Sequence, residues 1–199
     1  MDEPDHRPSV VPGEVRRHES EPRPEARWHV TRVRLLAGDI TQVSVDAVVN
    51  AANSALAGGG GVDGAIHAAA GPSVMAELRE RYDGCATGDA VVTAAGRLPA
   101  RHVIHAVGPI WHGGDRDEAR LLASAYRASL DHAHRLNAAS MAFPAISCGV
   151  YGYPLAEAAD VALGAVDGWL AAHPGNGIDD IVFVLRGAEV MAAFGEALD

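Results

Sequence analysis

Asn50-Ala51-Ala52-Asn53-Ser54-Ala55-Leu56-Ala57-Gly58-Gly59-Gly60-Gly61-Val62-Asp63-Gly64-Ala65-Ile66-His67 is the stretch on which the reading of the fold turns. The apolar run Ala47-Val48-Val49 leads into it as a buried strand, and Val62 to Ala70 leaves it as a helix. Four consecutive glycines between the two give a backbone able to curl tightly around a ligand. The helix that follows offers unpaired N–H groups and the positive end of its dipole to whatever lies in that curl. Asp63 stands at this junction, with Asn53 ten residues upstream. A loop that only captures phosphate gains nothing from a carboxylate beside it, because like charges repel. Asp63 therefore points to chemistry on a phosphate-bearing ligand. The competing reading is a flexible surface turn whose Asp63 merely caps the helix. Against it stand the upstream turn Gly38-Asp39-Ile40-Thr41, the strand between, and a second loop of small residues, Pro144-Ala145-Ile146-Ser147-Cys148-Gly149-Val150-Tyr151-Gly152.

Outward from this core the chain alternates short β-like runs with helix-like ones. Trp28 to Leu36 reads as one edge strand. Ala90 to Thr93, His102 to Val107, Met141 to Phe143 and Ile181 to Leu185 read as further strands. Helices are expected over Pro72 to Tyr82, Glu118 to Leu136, Leu155 to Ala172 and Val190 to Leu198, with Gly71-Pro72 separating the first of these from the helix before it. Strands alternating with helices predict an α/β fold, a mostly parallel central sheet covered on both faces. Ligands in such folds bind beyond the carboxyl ends of the strands, and both glycine-containing loops follow strands.

The chain has 199 residues, enough for one well-buried domain and too few for two ordinary ones. No apolar stretch is long enough for a membrane span. The start, MDEPDHRPSVV, is acidic and proline-rich and reads against a secretory signal, and two cysteines make no disulfide framework, so a cytoplasmic protein is expected. A formal charge of −10 argues against a nucleic-acid surface, since duplex binding relies on clustered cations. Lysine is absent and arginine supplies all sixteen positive charges. An anionic ligand must then be held by backbone N–H groups and helix ends. Residues 1–27 carry five of the eleven prolines and few aliphatics, which predicts a flexible arm before a domain at 28–199.

The motifs GDIT, DAVVNAAN, GGGGVDGAIHAAAG and PAISCGVYGYP, in this order and spacing, resemble the macrodomain family, and more narrowly its MacroD-type branch. The resemblance covers Val33 to Ala197. It implies a three-layer α/β/α fold with a mixed, mostly parallel sheet, and binding of ADP-ribose. Asp39 then accepts a hydrogen bond from the exocyclic amine of adenine and the Ile40 backbone meets the ring edge, since a carboxylate only accepts and so selects an amino group. Gly59, Gly60, Gly61 and Val62 on one side, and Ser147, Cys148, Gly149, Val150 and Tyr151 on the other, are expected to hold the diphosphate, with Tyr151 also against the distal ribose. Asn53 orients a ribose hydroxyl, Asp63 positions or deprotonates a water, and His67, on the same helical face as Asp63 and matching a further family position near the site, is the third catalytic candidate.

Two positions depart from the family pattern. Cys148 stands where threonine is more usual, and raises the competing possibility of a catalytic thiol with His67 or His105 as base. Arg186 stands where relatives often carry an aromatic that stacks on adenine; a guanidinium plane also stacks on a base. His105 reads as structural. No Cys/His cluster has metal-ligand spacing, and neither metal nor cofactor is expected. The resemblance implies a monomeric, metal-independent enzyme that removes mono-ADP-ribose from acidic side chains of modified proteins or deacetylates O-acetyl-ADP-ribose, with ADP-ribosylated proteins as partners. The alternative is a non-catalytic ADP-ribose reader.

Overall fold

The computed structural model describes residues 25–199. All but the last three residues of the expected arm lie outside the described residues. Seven strands form one sheet: β1 (Glu25–Trp28), β2 (Thr31–Ala37), β3 (Ala47–Ala52), β4 (Ala90–Ala94), β5 (His102–Val107), β6 (Ser140–Phe143) and β7 (Asp180–Leu185). Five α-helices accompany them: α1 (Gly61–Ala70), α2 (Pro72–Arg81), α3 (Glu118–Arg135), α4 (Leu155–Ala172) and α5 (Ala188–Leu198). The strand order is β1-β2-β7-β6-β3-β5-β4. The five central strands run parallel, and β1 and β4 close the two edges antiparallel.

The single edge strand expected over Trp28 to Leu36 is instead a hairpin. Trp28 pairs with Thr31, and the chain reverses at His29, whose φ is 59°. No glycine or proline marks this turn, so the alternating pattern runs through it unbroken. The ordered sheet accordingly takes in Glu25–Arg27, residues the sequence reading gave to the arm.

Alternation along the central strands sends side chains to two separate cores. Leu35, Val49, Ile104, Phe143 and Phe183 pack under α3, α4 and α5 against Tyr126, Val166 and Phe194. Val48, Val103, Ala142 and Val182 pack under α1 and α2 against Ile66, Ala70 and Val74. The strands are buried on both faces, which is why they read as apolar runs. Because β2, β3, β5, β6 and β7 are parallel, the loops that follow them open along one edge. Among the described residues no helix is long and apolar enough to cross a membrane.

Candidate active site

At the end of β2, the Gly38 N–H donates to Leu185 O (3.2 Å), which ties this turn to the end of β7. Asp39 then caps a single 3-10 turn, Ile40–Gln42: its Oδ1 accepts from Thr41 N (2.9 Å) and from Thr41 Oγ1 (2.7 Å). Those two bonds, with the Arg186 guanidinium nearby, hold the carboxyl below the usual range against a small desolvation effect. Asp39 is thus an exposed anion whose orientation is fixed by its own turn. Asp39, Ile40, Val62, Leu185, Arg186 and Val190 border a cleft of about 630 Å³.

The floor of that cleft continues between two loops. On the α1 side, Gly60 is the N-cap and Gly64 N donates back to Gly60 O at 3.3 Å. The N–H groups of Gly61, Val62 and Asp63 belong to the first helical turn and have no intrahelical acceptor. Gly64 has a separate task. A Cβ there would lie 2.6 Å from Gly59 O, so only glycine lets the loop fold down onto the helix. On the opposite side Tyr126, buried beneath the loop, accepts from Ile146 N (3.1 Å) and donates to Pro144 O (3.4 Å). Ser147 takes φ 67°, and its carbonyl accepts from Tyr153 N at 3.1 Å. The amides of Ser147, Gly149, Val150 and Tyr151 find no acceptor among the described residues.

Cys148 differs from the sequence expectation. Its N–H donates to Ala145 O at 3.3 Å and closes a turn instead of facing the cleft as a free donor. Its thiol packs toward Ile146 O (3.5 Å), and burial pushes its pKa up to about 11. A thiol so placed is protonated at neutral pH, which removes the basis for a nucleophilic role.

A second hollow, of about 220 Å³, adjoins the first and shares Gly61, Val62, Ala145 and Gly149 with it. Asn53, Gly59, Asp63, Ser147, Val150 and Tyr151 border it. Asn53 braces the glycine loop from within: Nδ2 donates to Gly58 O (2.9 Å) and Oδ1 accepts from Ala57 N (3.2 Å). Asp63 is 6% exposed. Its Oδ1 accepts from Asn50 Nδ2 at 2.6 Å and lies 3.4 Å from His67 Nε2. Its Oδ2 is buried beside Gly59 with no partner among the described residues. Burial opposes ionisation of Asp63, but His67 and Asn50 outweigh it, and the carboxyl sits below its ordinary range. The group is therefore an anion at neutral pH, a weak base but a strong hydrogen-bond acceptor.

The structure thus brings Asn53, Asp63 and His67 together, and it places Asp39 and Arg186 at the far end of the same groove. It also shows three polar side chains beneath Asp63 whose grouping the sequence did not reveal. Asn50, His105 and Thr93 are all buried. Asn50 and His105 are partners in the β3–β5 register, and Asn50 Nδ2 lies 3.2 Å from His105 Nδ1. His105 Nε2 lies 2.9 Å from Thr93 Oγ1. The His67 and His105 rings stack at 5.8 Å. The visible signal was a polar residue inside each of three otherwise apolar strands. Among the described residues no group of three or more His, Cys, Asp or Glu is arranged to hold a metal ion.

A family model described as Macro domain matches residues 49–162. The chain is 51% identical over 174 residues to a macro domain-containing protein of Caldanaerobacter subterraneus subsp. tengcongensis, covering 84% of this chain and 98% of that one. It is 50% identical over 167 residues to a Klebsiella pneumoniae protein named O-acetyl-ADP-ribose deacetylase, covering 82% and 94%. Among solved structures, the Oceanobacillus iheyensis macrodomain with ADP superposes with a TM-score of 0.81 at 37% identity, covering 87% of this chain and 93% of that one. Variants of that same macrodomain have been solved in which an asparagine, a glycine seven residues on, or an aspartate three residues beyond that is replaced.

Proposed function

This chain belongs to the macro domain family, and from that premise we propose that it binds ADP-ribose and hydrolyses acyl esters at its distal ribose. The two substrates are O-acetyl-ADP-ribose, which loses its acetyl group, and proteins carrying mono-ADP-ribose on Asp or Glu side chains. The observation that carries this reading is Asp63 Oδ2: a buried carboxylate oxygen without a partner among the described residues, on a side chain that borders the hollow at the end of a groove. A buried acceptor left unpaired costs free energy, and a bound water or ligand hydroxyl supplies the missing donor. Relatives named for the deacetylase support the chemistry. The asparagine, glycine and aspartate replaced in the solved variants have the spacing of Asn53, Gly60 and Asp63 here, which supports the placement.

In this reading adenine lies against Asp39 and Ile40, with the Arg186 guanidinium stacked on its face. The diphosphate takes the free amides of the two loops, and the distal ribose enters the smaller hollow beside Tyr151. Asn53 orients a ribose hydroxyl. Asp63 Oδ2 holds the attacking water, and the substrate's own phosphate helps take its proton, because a carboxylate kept below the ordinary range is too weak a base to do so alone. Water attacks the acyl carbon, the acyl–oxygen bond breaks, and the proton that the substrate's phosphate took from the water passes to the departing ribose oxygen. For an acyl group on the anomeric carbon, attack there expels a carboxylate, which needs no acid. A serine-linked ether leaves as an alkoxide and needs protonation that neither loop offers.

The test is a release assay without added metal on three modified peptides, linked through glutamate, serine and arginine. Glutamate-linked ADP-ribose should be cleared and the other two left largely intact. Hydroxylamine, which strips ester adducts chemically, is the matched control. Equal rates on serine- and glutamate-linked peptides would overturn the mechanism, and no activity on any ester would leave an ADP-ribose reader.

A further inference from the structure

Burying three polar side chains in the middle of a sheet is costly unless they are satisfied and serve something. Asn50 on β3, His105 on β5 and Thr93 on β4 come from three adjacent strands and meet in one line that ends at Asp63. We propose that His105 and Thr93 are positioning residues: they fix the amide of Asn50 so that it pins Asp63 Oδ1 and leaves Oδ2 as the single oxygen offered to the hollow. This rests on the ester-hydrolase reading for its catalytic consequence, but not for the geometry itself.

The order of donors follows from the chemistry of each group. Asp63 Oδ1 is a carboxylate oxygen and only accepts, so Asn50 must present Nδ2 to it; the flipped amide would set oxygen against oxygen. The second Nδ2 hydrogen points at His105 Nδ1, which must then be the unprotonated ring nitrogen. Neutral imidazole keeps its proton on the other nitrogen, and Nε2–H donates to Thr93 Oγ1. Thr93 therefore selects the tautomer, the tautomer selects the Asn50 rotamer, and Asn50 holds the carboxylate. Burial in this layer keeps His105 neutral, its pKa brought down to about 3. The stacked His67 ring adds its own contact to Asp63 Oδ1. Every group facing Oδ1 thus comes from the protein, and Oδ2 alone is left for substrate or water.

Thr93→Val is the discriminating change, since it keeps shape and removes only the acceptor for Nε2–H. His105 is then free to carry its proton on Nδ1, where it collides with the Asn50 amide hydrogen. Long-range nitrogen–proton NMR should show the Nε2–H tautomer of His105 in the wild type and loss of that preference in Thr93→Val. The Asp63 carboxyl should titrate at higher pH in the variant. Deacetylation kcat should fall about tenfold, the range for losing one hydrogen bond to a charged group, with KM and the ADP-ribose dissociation constant within about twofold. His105→Asn, which can still present an oxygen toward Asn50, should retain more activity than His105→Leu. A wild-type His105 protonated on Nδ1, or an unmoved Asp63 titration in folded Thr93→Val, overturns the proposal whatever the activity. A wild type with the stated tautomer and no ester hydrolysis refutes the function assigned above and leaves the positioning intact.

Discussion

Asp39 shows how much one side chain can be asked to do. Its Oδ1 is committed to the 3-10 turn, so in the proposed reading the cap and the group that meets the base are one carboxylate. Asp39→Ala should therefore act twice: ADP-ribose affinity falls by about 1–3 kcal/mol from the lost charged acceptor, and stability by about 1 kcal/mol from the lost cap. Calorimetry and thermal unfolding separate the two; unchanged affinity in a folded variant removes adenine from this end. Cys148→Ala should keep turnover within about threefold, because a thiol pushed to about 11 contributes no thiolate. A loss beyond tenfold in a steady-state assay would restore a role for sulfur. Asn53, Asp63 and His67 were legible as a group because a loop and the helix it starts bring them together locally. Asn50, His105 and Thr93 were not, because their meeting depends on strand register, which single-residue patterns do not carry.

At the scale of elements, the glycine loop works only if it lies against α1. Gly64 is the permissive point, since a side chain there meets Gly59 O. Gly64→Ala is expected to push Gly59 and its neighbours off the helix and weaken ADP-ribose binding about tenfold or more, although alanine is the better helix former. Gly195, in α5 with nothing near its absent Cβ, is the control: Gly195→Ala should bind normally and gain up to about 1 kcal/mol. Equal binding by the two variants would mean that the loop's close approach is not needed. The helices and most strands were readable because each has a clear period and clear punctuation. The β1–β2 hairpin was not, because its turn residue His29 enters the left-handed region without a glycine to announce it.

The whole molecule carries a directional response to acid. Asp46, Asp63 and Asp180 are all held below the ordinary aspartate value of 3.8 in the fold: burial opposes this in each case, and hydrogen bonds prevail, joined at Asp46 and Asp180 by arginine partners. His105 is brought down from 6.5 to about 3 by burial. All four are depressed, so each contributes stability above its unfolded value and loses it as pH falls. Between pH 6.5 and about 3 the unfolded chain takes up a proton that buried His105 refuses, costing up to about 1.4 kcal/mol per pH unit. The carboxylates steepen the loss below pH 3.8. Denaturant midpoints should be flat from neutrality to about pH 8, decline below about pH 6.5 and drop faster below about 4, with a separate alkaline decline from about pH 9, where the unfolded thiols ionise and the buried Cys85 and Cys148, both pushed up to about 11, do not. In His105→Asn the upper part of the decline should be absent; if it persists unchanged, His105 is not its source. The α/β class was legible from the alternation of elements, but the strand order was not. Placing β7 beside β2 joins strands more than a hundred residues apart in the chain, and only packing decides that.

The central claim is that Asp63 turns a binding groove into a hydrolytic site. The direct measurement sets turnover of O-acetyl-ADP-ribose beside calorimetric ADP-ribose affinity for wild type and Asp63→Ala. Turnover should fall about a hundredfold or more, while affinity is kept or improved as a negative charge near the diphosphate is removed. Wild-type turnover in a folded Asp63→Ala protein would contradict the account.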